Sequence, residues 1–127
     1  GGQRSADVHQ AQEFVRQAEL QLTQAEKQVV LDLTQQRAEI TRAQAAIAAR
    51  RQTASQAAES YELTVLSYDK GNSTALQVSD ARLQWRQAQA NEAQAVFDYI
   101  TALSRFLRAA GVAPTPDVLA DPAGALR

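Results

Sequence analysis

The sequence predicts an all-α protein folded as one long antiparallel coiled-coil hairpin. Between Gln3 and Ala110 it contains a single glycine, Gly71, and no proline, and these two residue types are the strongest breakers of regular structure. Apolar residues recur every seven positions on both sides of Gly71, which is typical of packed helices. Alanine supplies 26 of the 127 residues and glutamine 17, with 6% aromatic residues, so a thin contact seam is favoured over a globular core.

The first helix is predicted from about Ser5 to Asp69. Its heptad repeat begins with Val8, Val15, Leu22 and Val29. An inserted four-residue step, which locally unwinds a left-handed supercoil, then leads to Leu33. From there the repeat continues through Ile40, Ile47, Ala54, Tyr61 and Tyr68.

The second helix is predicted from about Thr74 to Ala110, after a turn near Gly71. Glycine readily takes the left-handed conformation that ends a helix. Thr74, followed three residues later by Gln77, fits a capping box at the start of the new helix. Gly111 is the predicted stop.

The second helix carries two apolar faces. The first, the inner seam, alternates Ala81, Ala88, Ala95, Ala102 and Ala109 with Val78, Trp85, Glu92, Tyr99 and Phe106. The other, the second stripe, consists of Leu76, Leu83, Ala90, Phe97, Ile100, Leu103 and Leu107. Two apolar faces predict two neighbouring helices.

Glu92 interrupts the inner seam, either as a polar group that sets the register or as a carboxylate that faces water.

The two helices have unequal lengths. At 1.5 Å per residue the first is expected to reach about 100 Å and the second about 55 Å. The second can therefore cover the first only to about Gln35, which leaves the seam from Val8 to Leu33 without a partner in the chain. We expect this stretch to oligomerise or to belong to a larger assembly. Residues 1–111 are predicted to form the hairpin and residues 112–127, which hold all three prolines, an irregular tail.

Composition excludes several function classes. The formal net charge is −1 with both signs interspersed, so no basic patch for nucleic acid is present. The longest apolar run, Ala45 to Ala49, is far shorter than the roughly 20 residues that a membrane-spanning helix needs. Cysteine is absent and His9 is the single histidine, so no catalytic, cofactor or metal site is predicted. The protein is not expected to be an enzyme.

The residues from Tyr68 to Ala81, YDKGNSTALQVSDA, resemble the periplasmic tip of TolC-type outer-membrane efflux proteins. That family shows a tyrosine, a glycine three residues later, a Ser or Thr that opens the next helix, and a Val-Leu-Asp-Ala stretch. The resemblance extends over roughly Gly2 to Gly111 and includes a Gly-rich lead-in and the Ala-rich returning helix. The chain is similar to the hairpin of the family's second repeat.

The resemblance implies a fragment of a trimeric α-barrel, the periplasmic tunnel of a homotrimer embedded in the outer membrane of a Gram-negative cell. Such channels work with a periplasmic adaptor protein and an inner-membrane pump. They export small molecules or proteins in tripartite efflux pumps or type I secretion systems. The fragment itself is expected to be periplasmic and not to span the membrane.

The resemblance also assigns site residues. The adaptor-docking tip comprises Tyr68, Asp69, Lys70, Gly71, Asn72 and Ser73, and the constriction comprises Tyr68, Gln77 and Asp80. The best-known member has an arginine at the position of Ser73 and a second aspartate at that of Gln77. A trimer of this chain is therefore expected to present three Asp80 carboxylates at its constriction.

Two other interpretations are open. The hairpin of a periplasmic adaptor is also long and rich in Ala and Gln, but its tip pattern centres on arginine, leucine and serine at wide spacing. The other is a purely structural coiled coil that self-associates as a rod or spacer and has no transport role. The Tyr-x-x-Gly turn favours the channel.

Overall fold

A computed structural model describes residues 1–127 and contains α-helices and no strand. The helices are α1 (Gly2–Asp69), α2 (Ala75–Ala109), α3 (Pro116–Ala120) and α4 (Pro122–Ala125). The predicted helical hairpin is confirmed, with both ends of α2 within one residue of the expected positions. None of the helices combines the length and the apolar character that a bilayer crossing requires.

The chain divides into two compact units, Gly1–Gln35 and Gln36–Arg127. The first unit is a stretch of α1, stabilised along its surface by local pairs such as Arg16 with Glu13 at 2.8 Å. Its heptad residues Val8 and Val15 are exposed, as are Leu22 and Val29 further along. Within the first unit these four seam residues are therefore uncovered.

The second unit contains the hairpin. The part of α1 that follows Gln35 packs against α2 along the predicted inner seam. Ala88, Ala95 and Ala102 of this seam are buried, as are Ala43 and Ala54 of α1. Because the separation of packed helices depends on the side chains at the contact, alanine allows the two backbones to approach closely. Larger seam residues, including Ile40, Ile47, Val78, Tyr99 and Phe106, are half-buried along its edges.

Specific side-chain pairs fix the register of α1 against α2. The rings of Tyr61 and Trp85 stack with centroids 5.4 Å apart and planes 21° apart. The Arg82 guanidinium lies 5.8 Å from the centroid of the Tyr61 ring. Arg51 Nε donates to Glu92 Oε1 at 3.1 Å. Glu92 therefore has a partner across the hairpin, which favours the register-setting interpretation of this residue.

The heptad count misplaced Tyr68. Its extension predicts Tyr68 in the seam, but the side chain is 48% exposed, whereas Thr64, Val65 and Ser67 are half-buried. In the last turn of α1 the covered residue is Ser67, whose hydroxyl bonds to that of Ser73. Residues 70–74 between the helices, which a heptad count along α1 does not include, therefore influence which side of this helix end is covered.

The two ends of the chain also differ from the predictions. Helix α1 begins at Gly2, three residues before the expected start, so the Gly-rich lead-in is already helical. The tail is not irregular throughout, because it holds α3 and α4. Each short helix has a capping side chain and a proline in its first turn, with Thr115 capping α3 and Asp121 capping α4.

Candidate functional site

The tip of the hairpin begins where α1 ends in a Schellman motif. Gly71 has a φ of +78°, in the left-handed region. Its amide donates to the Tyr68 carbonyl at 2.9 Å, and the Asn72 amide donates to the Ser67 carbonyl at 2.8 Å. These two bonds satisfy carbonyls that the end of a helix otherwise leaves without a partner. The predicted role of Gly71 in the turn is thereby confirmed.

The capping box at the start of α2 is also confirmed. The Thr74 hydroxyl accepts from the backbone amide of Gln77 at 3.1 Å, and the backbone amide of Thr74 donates to Gln77 Oε1 at 2.8 Å. Thr74 has an extended backbone (φ −93°, ψ 160°), as an N-cap requires. Capping boxes join residues only three apart, which is why the sequence pattern was sufficient to find this one.

One contact that the sequence did not reveal links the two sides of the tip. Ser73 Oγ donates to Ser67 Oγ at 2.7 Å, and both residues are half-buried. The bond joins the last turn of α1 to the residue before the N-cap of α2. Ser73 was singled out in the sequence for the arginine that it replaces, and Ser67 was not a candidate at all. The sequence carries no local signal that could have indicated this pair.

The outer surface of the tip is open to solvent. Tyr68, Asp69, Lys70, Gly71 and Asn72 are all exposed. A Cβ atom built on Gly71 has no neighbour within 4 Å. The tip is thus held from the inside by backbone bonds and by the serine pair, and it presents five consecutive residues outward.

The three predicted constriction residues are not joined to one another. Gln77 uses its side-chain oxygen in the capping box, and no hydrogen bond or ion pair in the structure involves the side chain of Tyr68 or Asp80. Asp80 is exposed and lies three residues after Gln77, on the same side of α2. Among these three residues, Asp80 alone carries a full negative charge.

A shallow groove of about 400 Å³ lies beside the tip. Its walls are mainly hydroxyl, amide and carboxylate groups around one leucine: Gln56, Glu59, Ser60, Leu63, Thr64, Ser67 and Ser73. The surrounding segment, residues 59–80, carries four carboxylates and a single lysine. The tip end of the hairpin is therefore acidic, and it attracts cations or basic partners over about a Debye length.

No group of three or more His, Asp or Glu side chains comes together in a way that could hold a metal ion. His9, the single histidine, is exposed in the first unit. The chemistry that the tip can offer is hydrogen bonding, packing of an exposed tyrosine and electrostatic attraction.

Comparison with known proteins adds one finding. The family model described as "Outer membrane efflux protein" matches residues 1–112, which include the whole hairpin, the tip and Asp80. Neither the curated proteins nor the solved structures gave a significant match. The matched span covers most of the 127 residues and ends at Val112, whose amide donates to the Leu107 carbonyl at the end of α2. The chain belongs to the outer membrane efflux protein family.

Proposed function

We propose that this hairpin forms part of the periplasmic tunnel of a TolC-like outer-membrane channel. The channel serves a tripartite efflux pump or a type I secretion system and exports small molecules or proteins. The family assignment supports a channel component, and the exposed apolar side chains of α2 support a setting among other helices. The working form is a homotrimer that meets a periplasmic adaptor protein and, through it, an inner-membrane pump.

The construction of the tip is the observation that carries this proposal. A turn that only connected two helices would need Gly71 and the capping box, which are both present. Here the tip also has an internal serine bond, an exposed outer surface and open space around Gly71. A preorganised surface loses little conformational entropy when a partner binds. We infer that residues 68–73 dock the adaptor.

Asp80 supplies the electrostatic part of the proposal. In a homotrimer three copies of this exposed carboxylate form a ring, and rings of acidic side chains favour cations in a pore. Gln77 contributes no charge, and its oxygen is occupied by the Thr74 amide. Tyr68, exposed near the end of α1, is the candidate for narrowing the aperture by its bulk.

Crosslinking in cells tests the docking role. The chain has no cysteine, so Asn72→Cys introduces one thiol at the tip without any background. We expect a disulfide or a short bifunctional reagent to join this thiol to a cysteine in the adaptor hairpin. Gln89→Cys, exposed in the middle of α2, is the matched control and should give no such adduct.

The same experiment separates the alternatives. If Asn72→Cys gives only adducts with other copies of the chain, the structural coiled coil is correct. If it captures an outer-membrane channel in place of an adaptor, the chain is itself the adaptor hairpin. Either outcome would contradict the proposed function.

Single-channel conductance tests the constriction. In a channel that contains this hairpin, Asp80→Asn is expected to lower the preference for cations, because it removes three charges from the ring. Asp98→Asn is the control, since 18 residues place Asp98 on the same side of α2 about 27 Å away along its axis. Equal selectivity in the Asp80→Asn channel and the unmodified channel would remove Asp80 from the constriction.

A further inference from the structure

The chain contains two asparagines, and the structure places them in contrasting surroundings. Asn72 lies between the two long helices and is exposed, and no hydrogen bond in the structure involves its side chain. Asn91 lies within α2 and is half-buried, and its Oδ1 accepts from Gln87 Nε2 at 3.1 Å. The side chain of Asn72 is therefore free to move, whereas that of Asn91 is held.

The backbone nitrogen that follows each asparagine differs in the same way. Ser73 lies between α1 and α2, and its backbone amide makes no hydrogen bond in the structure. The amide of Glu92 lies inside α2, where each N–H is bonded to the carbonyl four residues earlier. The Ser73 hydroxyl does donate to Ser67 Oγ at 2.7 Å, but a single hydrogen bond adds little net stability. The Ser73 nitrogen can therefore shift without unwinding either helix.

An asparagine side chain and the next backbone nitrogen react with each other when they can approach. The nitrogen, after losing its proton, attacks the side-chain carbon Cγ and forms a cyclic imide. The bond from Cγ to the side-chain nitrogen breaks, and this nitrogen takes up the proton and leaves as ammonia. Water then opens the imide. Attack of water at Cγ gives aspartate, and attack at the backbone carbonyl carbon gives isoaspartate, in which the chain continues through the side chain.

We propose that Asn72 is a site of spontaneous deamidation, through attack of the Ser73 backbone nitrogen on its Cγ. Both products carry a carboxylate that is ionised at neutral pH, so segment 59–80 gains a fifth carboxylate beside its single lysine. Isoaspartate also lengthens the backbone by one carbon next to the bond from the Asn72 amide to the Ser67 carbonyl. The reaction thus changes the charge and the shape of residues 68–73. Weaker docking of an adaptor is the consequence, which rests on the proposed function.

Mass spectrometry of the stored protein measures the reaction. Trypsin, which cuts after lysine and arginine, releases Asn72 in peptide 71–82 and Asn91 in peptide 87–105. In the folded chain we expect Asn72 to be lost at least about tenfold faster than Asn91, because the Glu92 nitrogen can attack only after local opening of α2. Isoaspartate should be among the products at position 72. The loss should accelerate in mildly alkaline buffer, since the attacking nitrogen must lose its proton.

The same measurement in urea separates the effect of the fold from that of the neighbouring residue. Unfolding exposes both asparagines, so each reacts at the rate that its own sequence sets. We expect folding to slow the loss of Asn91 by more than about tenfold and that of Asn72 by only a few-fold. Protection of Asn72 as strong as that of Asn91 would overturn the proposal. Aspartate at position 72 without any isoaspartate would also overturn it, because direct hydrolysis of the side chain gives aspartate alone.

A matched pair of substitutions tests the attacking atom. Ser73→Val places a branched side chain beside the attacking nitrogen, and Ser67→Ala leaves that nitrogen unchanged. Both variants lack the bond between the two serine hydroxyls, so they differ in the crowding around the reaction. We expect the loss of Asn72 to be several-fold slower in Ser73→Val than in Ser67→Ala, and equal rates would contradict attack by the Ser73 nitrogen. These measurements involve no adaptor or pump, so their failure is distinguishable from failure of the proposed function.

Discussion

Replacing Gly71 by alanine should destabilise the hairpin by about 1 kcal/mol, and the reason lies wholly in the backbone. An L-residue in the left-handed region costs roughly 1–2 kcal/mol. No atom lies within 4 Å of a Cβ at this position, so no steric clash is added. The reduced freedom of alanine in the unfolded chain returns about 0.4–1 kcal/mol. The difference corresponds to a decrease in Tm of about 4 °C for a chain of this size.

Urea unfolding followed by circular dichroism at 222 nm measures this change. Gly71→Asn should cost less than half as much, because asparagine tolerates the left-handed conformation. A D-alanine introduced at position 71 by chemical ligation should stabilise the hairpin, since its preferred φ is positive. If D-alanine and L-alanine were equally destabilising, a steric explanation would replace the conformational one. A docking defect in the Gly71→Asn channel with nearly normal stability would separate the role of position 71 in docking from its role in the turn.

Three further predictions concern the hairpin. A double-mutant cycle on Arg51 and Glu92 should give a coupling energy of about 0.5 kcal/mol. This energy should fall as salt is added, because the arginine is largely exposed. A coupling energy of zero at low salt would contradict a register-setting pair. Ala95→Leu should lower the free energy of unfolding by about 1–3 kcal/mol through overpacking of the buried seam, whereas Ala93→Leu, on the exposed side of α2, should change it by less than about 0.5 kcal/mol. Thr74→Ala should lower the free energy of unfolding in urea by about 1 kcal/mol, since it removes the hydroxyl that accepts from the Gln77 backbone amide.

The local features of the tip could be predicted from the sequence because their partners are close along the chain. Gly71 and the capping box of Thr74 with Gln77 involve residues only a few positions apart. Backbone stereochemistry favours one conformation for each of these two patterns. Ser67 was missed because its bond to Ser73 depends on how the chain passes through the whole turn. A serine that closes a turn has the same local pattern as one that faces water.

For the contacts across the hairpin, the sequence predicted the kind of residue involved but not which residues pair. The heptads indicated that alanines meet along the inner seam, and three of its five alanines, Ala88, Ala95 and Ala102, are buried there. They did not pair Arg51 with Glu92 or Tyr61 with Trp85, because a one-heptad shift of α2 satisfies the same repeat. Nor did they place Tyr68, since the end of α1 contacts Ser73 between the helices, which a repeat along α1 does not include.

The sequence by itself determined two helices, the turn between them and the faces that each helix buries, because breakers, caps and periodicity act locally. Only the tertiary structure decided which residues meet across the seam, that Ser67 bonds to Ser73 in the tip, and that Leu103 and Leu107 are buried. Each of these depends on the distance in space between segments that are separated along the chain. Composition and periodicity carry no information on that distance.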